Sequence, residues 1–298
     1  MYKPFSDGKA IALMVLPAVA FVLFAMVAPV FLSVYYGMTD WSGMGAMEYI
    51  GPANFREILF KDATFWRSLL NALWLAIVTI FFQNPLALLV CIMLLHSKKN
   101  SEKSERVFRT IYFIPAVISV VVTTRLWVHV FNPTYGLLNR FLSLIGLGAF
   151  KIDWLSNPRT ALWSVILIVI WQGFGWAILF YYAGLVNIPK ELQEAARIDG
   201  ASGLKLYTKV ILPLMTPVIR STVIIALISC LKQMETVYLS TNGGPGDTTQ
   251  FLANYLYLKA FVYGQYGYGC ALSVIFVVVC VAGTVLLNAL TQRDVGEF

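Results

Sequence analysis

Charge is what this chain has least of. Asp, Glu, Lys and Arg make up 12 % of the 298 residues, with 15 acidic side chains against 22 basic ones, about half the share of a soluble domain. The middles of the hydrophobic runs are almost free of Asp and Glu, which argues against a secondary transporter or channel that binds a coupling ion near the membrane midplane. Cysteine is scarce too. Cys91, Cys230, Cys270 and Cys280 fall within or beside apolar runs without paired spacing, so they are expected to be small buried apolar residues rather than a disulfide framework. His96 and His129 stand too far apart for a local metal motif, and there is no zinc signature. No G-x-x-x-x-G-K-[ST] run is present, so this chain does not cradle ATP phosphates itself. HExxH, GxSxG and carboxylates clustered with a base are also missing, which argues against a membrane-embedded enzyme.

What is abundant is apolar surface: 59 % of the residues are hydrophobic and the mean hydropathy is +0.73. The fold class that follows is all-α, a polytopic membrane helix bundle. Runs of about 20 apolar residues suffice to span, and six are expected at 11–36, 69–95, 107–131, 161–186, 214–236 and 269–290. They form one transmembrane domain over 1–298, with an N-terminal span 11–36, a core bundle 69–290 and a polar loop 188–213. Lys3 and Lys9 precede the first span without a cleavage site, so it is expected to be retained. Lys98, Lys99, Lys103, Arg106 and Arg109 crowd the connector after span two, and Lys190, Arg197, Lys205 and Lys209 the one after span four. Cytoplasmic loops carry such an excess, so both connectors, and with an even span number both termini, are expected inside. The net charge of +7 is then a topological bias and not a nucleic-acid footprint.

Polar residues within the apolar runs mark the candidate path. Gln83-Asn84-Pro85 interrupts span two with amides that must face the bundle, either gluing helices or lining the path. Arg125 in span three either snorkels to an interface or pairs inside. Span four carries Trp171, Gln172, Trp176, Tyr181 and Tyr182, with Gly173 and Gly175 allowing close helix approach. Aromatic faces beside amides suit sugar rings, although core packing explains the same residues. Span five ends in Lys232, Gln233 and Glu235, charged side chains that are functional candidates by default and, three apart, able to pair with each other. Gly243-Gly244-Pro245-Gly246 requires a turn of unusual backbone, after which Thr248 or Thr249 caps a short helix with Phe251, Tyr255, Leu258 and Val262 on one face and Asn254 and Tyr257 exposed near an external mouth. An amphipathic stretch from Asn54 to Leu70 is expected to lie on the outer surface with Phe55, Leu59 and Phe60 toward lipid.

The most specific segment is the polar island from Ile188 to Pro217, IPKELQEAARIDGASGLKLYTKVILPLMTP. Pro189 suits a first helical position, Glu191 the positive end of the dipole, Gly200 a C-terminal cap and Ser202 the N-cap of a second short helix. Leu192, Ala195 and Ala196 share a face rimmed by Glu191, Glu194 and Arg197. Glu194-Ala195-Ala196, Gly200, Val210 and Leu212-Pro213 resemble the EAA signature of binding-protein-dependent ABC importer permeases, with Val210 where the pattern has Ile. Asn242 to Thr248 is similar to the GGPG segment of carbohydrate-uptake members, the maltose and multiple-sugar permeases, and the likeness runs over residues 11–290.

The resemblance implies a plasma (inner) membrane permease of a bacterial importer for a sugar or oligosaccharide, a polyol phosphate being the alternative solute. It implies a coupling helix in which Glu191, Glu194, Ala195, Ala196, Arg197, Asp199 and Gly200 meet a cytosolic ATPase. The candidate pathway residues beside it are Gln83, Asn84, Trp171, Gln172, Trp176, Tyr181, Lys232, Gln233, Glu235, Asn254 and Tyr257. Implied partners are two ATPase subunits, a second and different permease chain, an extracellular solute-binding protein and membrane lipid. No cofactor is expected on this chain, ATP and Mg being used by the ATPase.

Overall fold

A computed structural model of the chain describes residues 8–96 and 102–291. Lys3, Lys98 and Lys99 of the topology reading lie outside them. The described residues are overwhelmingly helical, and their one β pairing is an isolated bridge between Thr39 and Tyr49. They divide into two compact units, one reaching Asp62 and taking in Leu256–Val279, the other formed by Ala63–Tyr255 with the segment from Cys280 onward.

In the first unit, α1 (Ile11–Gly37) is apolar on every side and none of its most hydrophobic stretch is buried. Gly37 lets α1 approach the Ala271 backbone, since a Cβ there would lie 3.1 Å from it. Beyond α1, Trp41 stacks on Tyr36 at 5.2 Å and leans on Tyr266 at 5.6 Å. The expected surface helix 54–70 is cut short: α2 (Ala53–Phe60) ends before Lys61, and a new helix starts at Ala63. Leu59 and Phe60 are exposed as expected, but Phe55 is half-buried against Gly37. Asn54 is buried because its amide donates to the carbonyls of Gly37 and Thr39, both at 3.0 Å, satisfying the groups left open where α1 ends.

The second unit holds most of the bundle. Its α3 (Ala63–Leu95) runs through Pro85 without stopping. The reason is a widened π turn at Thr79–Gln83, where the carbonyl that Pro85 can neither pair with nor tolerate is carried outward. The same device recurs. A π turn at Leu23–Val27 precedes Pro29, and another at Tyr207–Ile211 precedes Pro213. In each case the turn closes two residues before the proline.

Span three is not straight. α4 (Glu102–Val117) and α5 (Val120–Val130) meet at 101°. Pro115 removes one helical hydrogen bond, Ser119 turns extended (φ −54°, ψ 139°), and the freed Ile118 carbonyl is taken by the Gln172 amide at 3.0 Å. Arg125, on α5, is exposed. After α5 comes a short helix, α6 (Leu137–Leu144), whose buried Asn139 accepts from the Trp154 indole at 2.9 Å.

Next, α7 (Ala161–Val186) packs closely on α4 at Gly175, and α8 (Lys190–Ile198) leads into α9 (Leu204–Leu231). The second short helix read at Ser202 is therefore the first turn of span five itself. The span also ends earlier than 236, breaking at Lys232–Met234 before α10 (Glu235–Ser240), which packs along α5. The Gly243–Gly246 turn has the unusual backbone its glycines require, with φ of +89° at Gly243 and +55° at Gly246. It is held from α3, where Arg67 donates to Gly246 O at 3.0 Å and Asn71 to Thr248 O and Gln250 O at 2.9 Å. The last helices are α11 (Leu252–Tyr257) and α12 (Tyr266–Thr291).

Candidate functional site

The two helix breaks frame a cavity of about 420 Å³ in the second unit, bordered by Val120 just past the first break and by Gln233, Glu235 and Thr236 at the second. Its remaining wall comes from α3, α7 and α9. Of the candidate pathway residues, Gln83, Asn84, Gln172, Trp176, Gln233 and Glu235 line it. The amides are not equivalent. Asn84 is engaged at both ends, donating to Thr79 O at 2.9 Å and accepting from the Tyr181 hydroxyl at 2.8 Å. Gln172 spends its NH₂ on Ile118 O and keeps its carbonyl oxygen. Gln83 lies over Gly173, where a Cβ would come within 3.0 Å of its amide nitrogen. Trp176 is 50 % exposed and meets Phe113 edge-on at 5.9 Å. An indole face, amides and hydroxyls around one volume are groups that orient a polar, ring-shaped solute.

Five candidates are placed elsewhere. Trp171 is half-buried with its edge toward Trp127 at 5.6 Å. Tyr181 is fully buried in a core with Ala87, Cys91, Ile178, Leu185 and Met215, where its hydroxyl braces Asn84. Lys232, exposed at the end of α9, does not line the cavity and makes no ion pair with Glu235, because the chain leaves the helix between them. Asn254 is fully buried and donates to Gln250, which corrects its placement at an exposed mouth. It shares the inward face with Phe251, Tyr255 and Leu258, a spacing of three, four and seven. Tyr257, half-buried, lies 5.6 Å from Phe261. Thr249 does not cap α11; its hydroxyl donates to Gly244 O at 2.7 Å inside the turn.

Sequence reasoning missed Thr79 and Ser229 in the lining. Each stands four residues before a named glutamine, Gln83 and Gln233, but that spacing does not mark a shared helical face here, because Thr79–Gln83 forms the π turn and Gln233 lies past the end of α9.

The polar hairpin forms a second feature. Pro189 (φ −56°, ψ 134°) is the last residue before α8 rather than its first, and Glu191 lies in the first turn. Asp199 closes the helix and Gly200 turns left-handed at φ +86°. Ala201 N–H donates to Ala196 O at 2.8 Å and Gly200 N–H to Arg197 O at 3.1 Å, the double bond pattern of a Schellman cap. Gly203 (φ +51°), not Ser202, occupies the start of α9.

The small apolar residues of α8 divide between two faces. Ala196 packs inward against the buried core around Tyr181 and Ile188. Leu192 and Ala195 are exposed, and Ile198 is 87 % exposed, an apolar stripe at intervals of three. Glu194, Arg197, Lys190 and Gln193 edge an adjoining hollow of about 450 Å³ floored by Leu185, Ile188 and Ile211.

In the second unit, membrane-length helices around a largely apolar cavity set with amides and hydroxyls, with a rigid amphipathic hairpin presenting an uncovered stripe, define a membrane transport component. Residues 89–293 match the family described as binding-protein-dependent transport system inner membrane component, and the chain belongs to that family. It is 32 % identical over 270 residues to a probable ABC transporter permease protein of Pyrococcus horikoshii, covering 90 % of this chain and 91 % of that protein. It is 29 % identical over 286 residues to the trehalose/maltose transport system permease protein MalF of Thermococcus litoralis, covering 95 % and 93 %. A solved bacterial alginate ABC transporter, in complex with alginate pentasaccharide-bound periplasmic protein, contains a chain that superposes with a TM-score of 0.81 at 25 % identity, covering 95 % of this chain and 94 % of that one. The protein is a multi-pass inner-membrane component of a transport system that depends on a binding protein.

The brace between Tyr181 and Asn84 makes a limited prediction. Tyr181→Phe keeps the ring in its core and removes one hydrogen bond, so stability is expected to fall by about 1 kcal/mol. Solute transport should stay close to wild type, because Tyr181 does not line the cavity. A melting curve and an uptake assay on the same variant check both parts.

Proposed function

We propose that this chain is the permease subunit of an ATP-driven importer that passes a sugar or oligosaccharide from an extracellular binding protein to the cytoplasm. The observation that carries the solute class is the cavity lining, which sets Trp176 beside Gln83, Gln172 and Gln233. Indole faces pack on the C–H faces of pyranose rings while amides take their hydroxyls. The relative described as a trehalose/maltose permease supports the same class. A polyol phosphate fits less well, because no Lys or Arg lines the cavity and a phosphate calls for clustered cations.

The hairpin Lys190–Gly200 is cytoplasmic in this reading, with both termini on the same side, and its Leu192, Ala195 and Ile198 stripe seats in a separate ATPase subunit. Glu191, Glu194, Arg197 and Asp199 supply the charged rim of that contact, and Gly200 fixes its turn. Two ATPase subunits supply ATP and Mg chemistry. A second, different permease chain completes the path. Ala196, locked to the core beneath spans two, four and five, makes the hairpin a rigid lever for a rigid-body transition.

Uptake of a panel of labelled saccharides into cells carrying the complete importer tests this. Trp176→Ala and Gln233→Ala are each expected to lower uptake by about tenfold or more, the scale of losing one specific contact to a solute. Uptake unchanged by both substitutions, or uptake persisting in ATPase-free vesicles under an ion gradient alone, overturns the proposal.

A further inference from the structure

Among the described residues, the cavity lining holds one carboxylate and no cation. Among its residues are the amides of Gln83, Asn84, Gln172 and Gln233, the hydroxyls of Thr79, Thr222, Ser229 and Thr236, and Glu235 as its only acidic side chain. The basic residues nearest in the sequence are disposed elsewhere. Lys232 is exposed outside the lining, and Arg220, lower on α9, is bound by the side chain of Asn288 on α12. Glu235 itself makes no ion pair and accepts no hydrogen bond among the described residues. Its position follows from the break at Lys232–Met234, which ends α9 and starts α10 with Glu235 at the cavity wall.

From this arrangement we infer that Glu235 is the charge filter of the cavity: it admits neutral and aminated saccharides and excludes acidic ones such as uronates. The inference rests on the reading of this cavity as a saccharide path. An ionised carboxylate is acceptor-only with room for several donors, so it can take a pair of neighbouring sugar hydroxyls. The same group repels a uronate carboxylate that comes close to it, and because Glu235 is exposed the repulsion acts at short range and weakens as salt is raised. Like charges set against each other are a common means of refusing the wrong partner. The consequence is specific because a structural relative belongs to a transporter described as importing an acidic polysaccharide. By this inference the present chain differs from it in solute charge.

The test reads the electrostatic potential of the cavity separately from the identity of the sugar. Ser229, exposed on the lining, is replaced by Cys in the assembled importer after Cys91, Cys230, Cys270 and Cys280 have been substituted. The introduced thiol is then modified with a trimethylammonium and a sulfonate methanethiosulfonate reagent. With Glu235 present, the cationic reagent is expected to be favoured over the anionic one by about tenfold relative to a free thiol in solution, the order expected for one nearby charge. Glu235→Gln should bring that preference close to the solution value, and Glu235→Asp should keep most of it. A preference absent in wild type, or unchanged in Glu235→Gln, overturns the inference.

In a second arm, neutral trisaccharides are expected to protect the thiol and trigalacturonate to do so only after Glu235→Gln. Protection of the wild-type cavity by trigalacturonate as strong as that by neutral sugars also overturns the filter. If no saccharide of either kind protects, yet the reagent preference still responds to Glu235→Gln, the carbohydrate reading fails while the charge filter stands.

Discussion

Gly175→Leu is expected to leave almost no folded protein in the membrane. A Cβ at Gly175 would lie 2.7 Å from the Tyr112 carbonyl oxygen, 2.9 Å from the Ala116 methyl and 3.2 Å from the Phe113 Cα. Two of those three are backbone atoms, so no side-chain rotation relieves the clash and α4 has to move off α7 as a body. Inserting methylenes into a packed interior costs about 1–3 kcal/mol where side chains can adjust, and this site offers no such adjustment. The damage extends further. Moving α4 also moves the break at Ile118 away from Gln172, leaving a part-buried carbonyl without its partner where lipid offers no substitute.

Two comparisons separate this mechanism from a general intolerance to side chains. At Gly173 the nearest atom to an added Cβ is the end of the Gln83 amide at 3.0 Å, a group that can shift, so Gly173→Ala should fold and alter transport more than yield. At Gly148 nothing lies within 4 Å, and Gly148→Ala should be neutral. Membrane yield and monodispersity on size-exclusion chromatography rank the three. Gly175→Leu behaving like Gly148→Ala would mean that α4 and α7 do not pack as described.

The same contact shows why some of the structure was legible in the sequence and some was not. Gly173 and Gly175 announced a close approach, because small residues in an apolar helix have few other uses. Spans two and four followed from hydropathy, which depends only on composition, span two in spite of Gln83-Asn84-Pro85 within it. Span three did not. Its residues are apolar enough to cross, and what turns them through 101° is a carbonyl satisfied by Gln172, 54 positions away in the sequence. Span five failed for a different reason: it was carried to 236 through Lys232, Gln233 and Glu235 although hydropathy falls after Leu231, and there the chain breaks to bring Gln233 and Glu235 to the cavity.

Individual site residues divided in the same way. Gln83 and Gln172 could be placed because an amide in lipid must turn toward other helices. Tyr181 could not be told from a pathway residue, since a buried tyrosine bracing an asparagine and one lining a cavity present the same letter at the same period. Asn254 was misread because its polarity outweighed its spacing with Phe251, Tyr255 and Leu258. The proline-associated π turns had a signal that went unused. Pro29 and Pro85 sit inside the expected spans 11–36 and 69–95, which had to continue through them to be long enough, whereas Pro213 precedes the expected start of span five at 214.

Ile198→Asp is expected to abolish uptake while leaving the permease folded. Ile198 is 87 % exposed on α8, so a carboxylate there meets water in the isolated chain, and surface changes of this kind alter stability by no more than about 0.5 kcal/mol. In the proposed seat of α8 on an ATPase the same carboxylate would be buried against apolar surface without a partner. Truncating or charging a central apolar anchor commonly costs about 2–4 kcal/mol of association, a loss of roughly thirtyfold to a thousandfold by the usual conversion. Copurification of the ATPase with the tagged permease should fall accordingly, and uptake with it.

Glu194→Lys acts on the rim of the proposed contact. It should weaken recovery less and in a salt-dependent manner, as exposed charges do. Ala196→Asp separates the two faces of α8, because Ala196 packs on the core; that variant should lose folded permease as well as the ATPase. The decisive result is therefore a dissociation of two readouts in Ile198→Asp, with normal membrane yield and melting but little ATPase recovered. Full ATPase recovery and normal uptake in that variant would show that the uncovered stripe of α8 is not the seat of the motor, and the coupling role proposed for the hairpin would have to be abandoned.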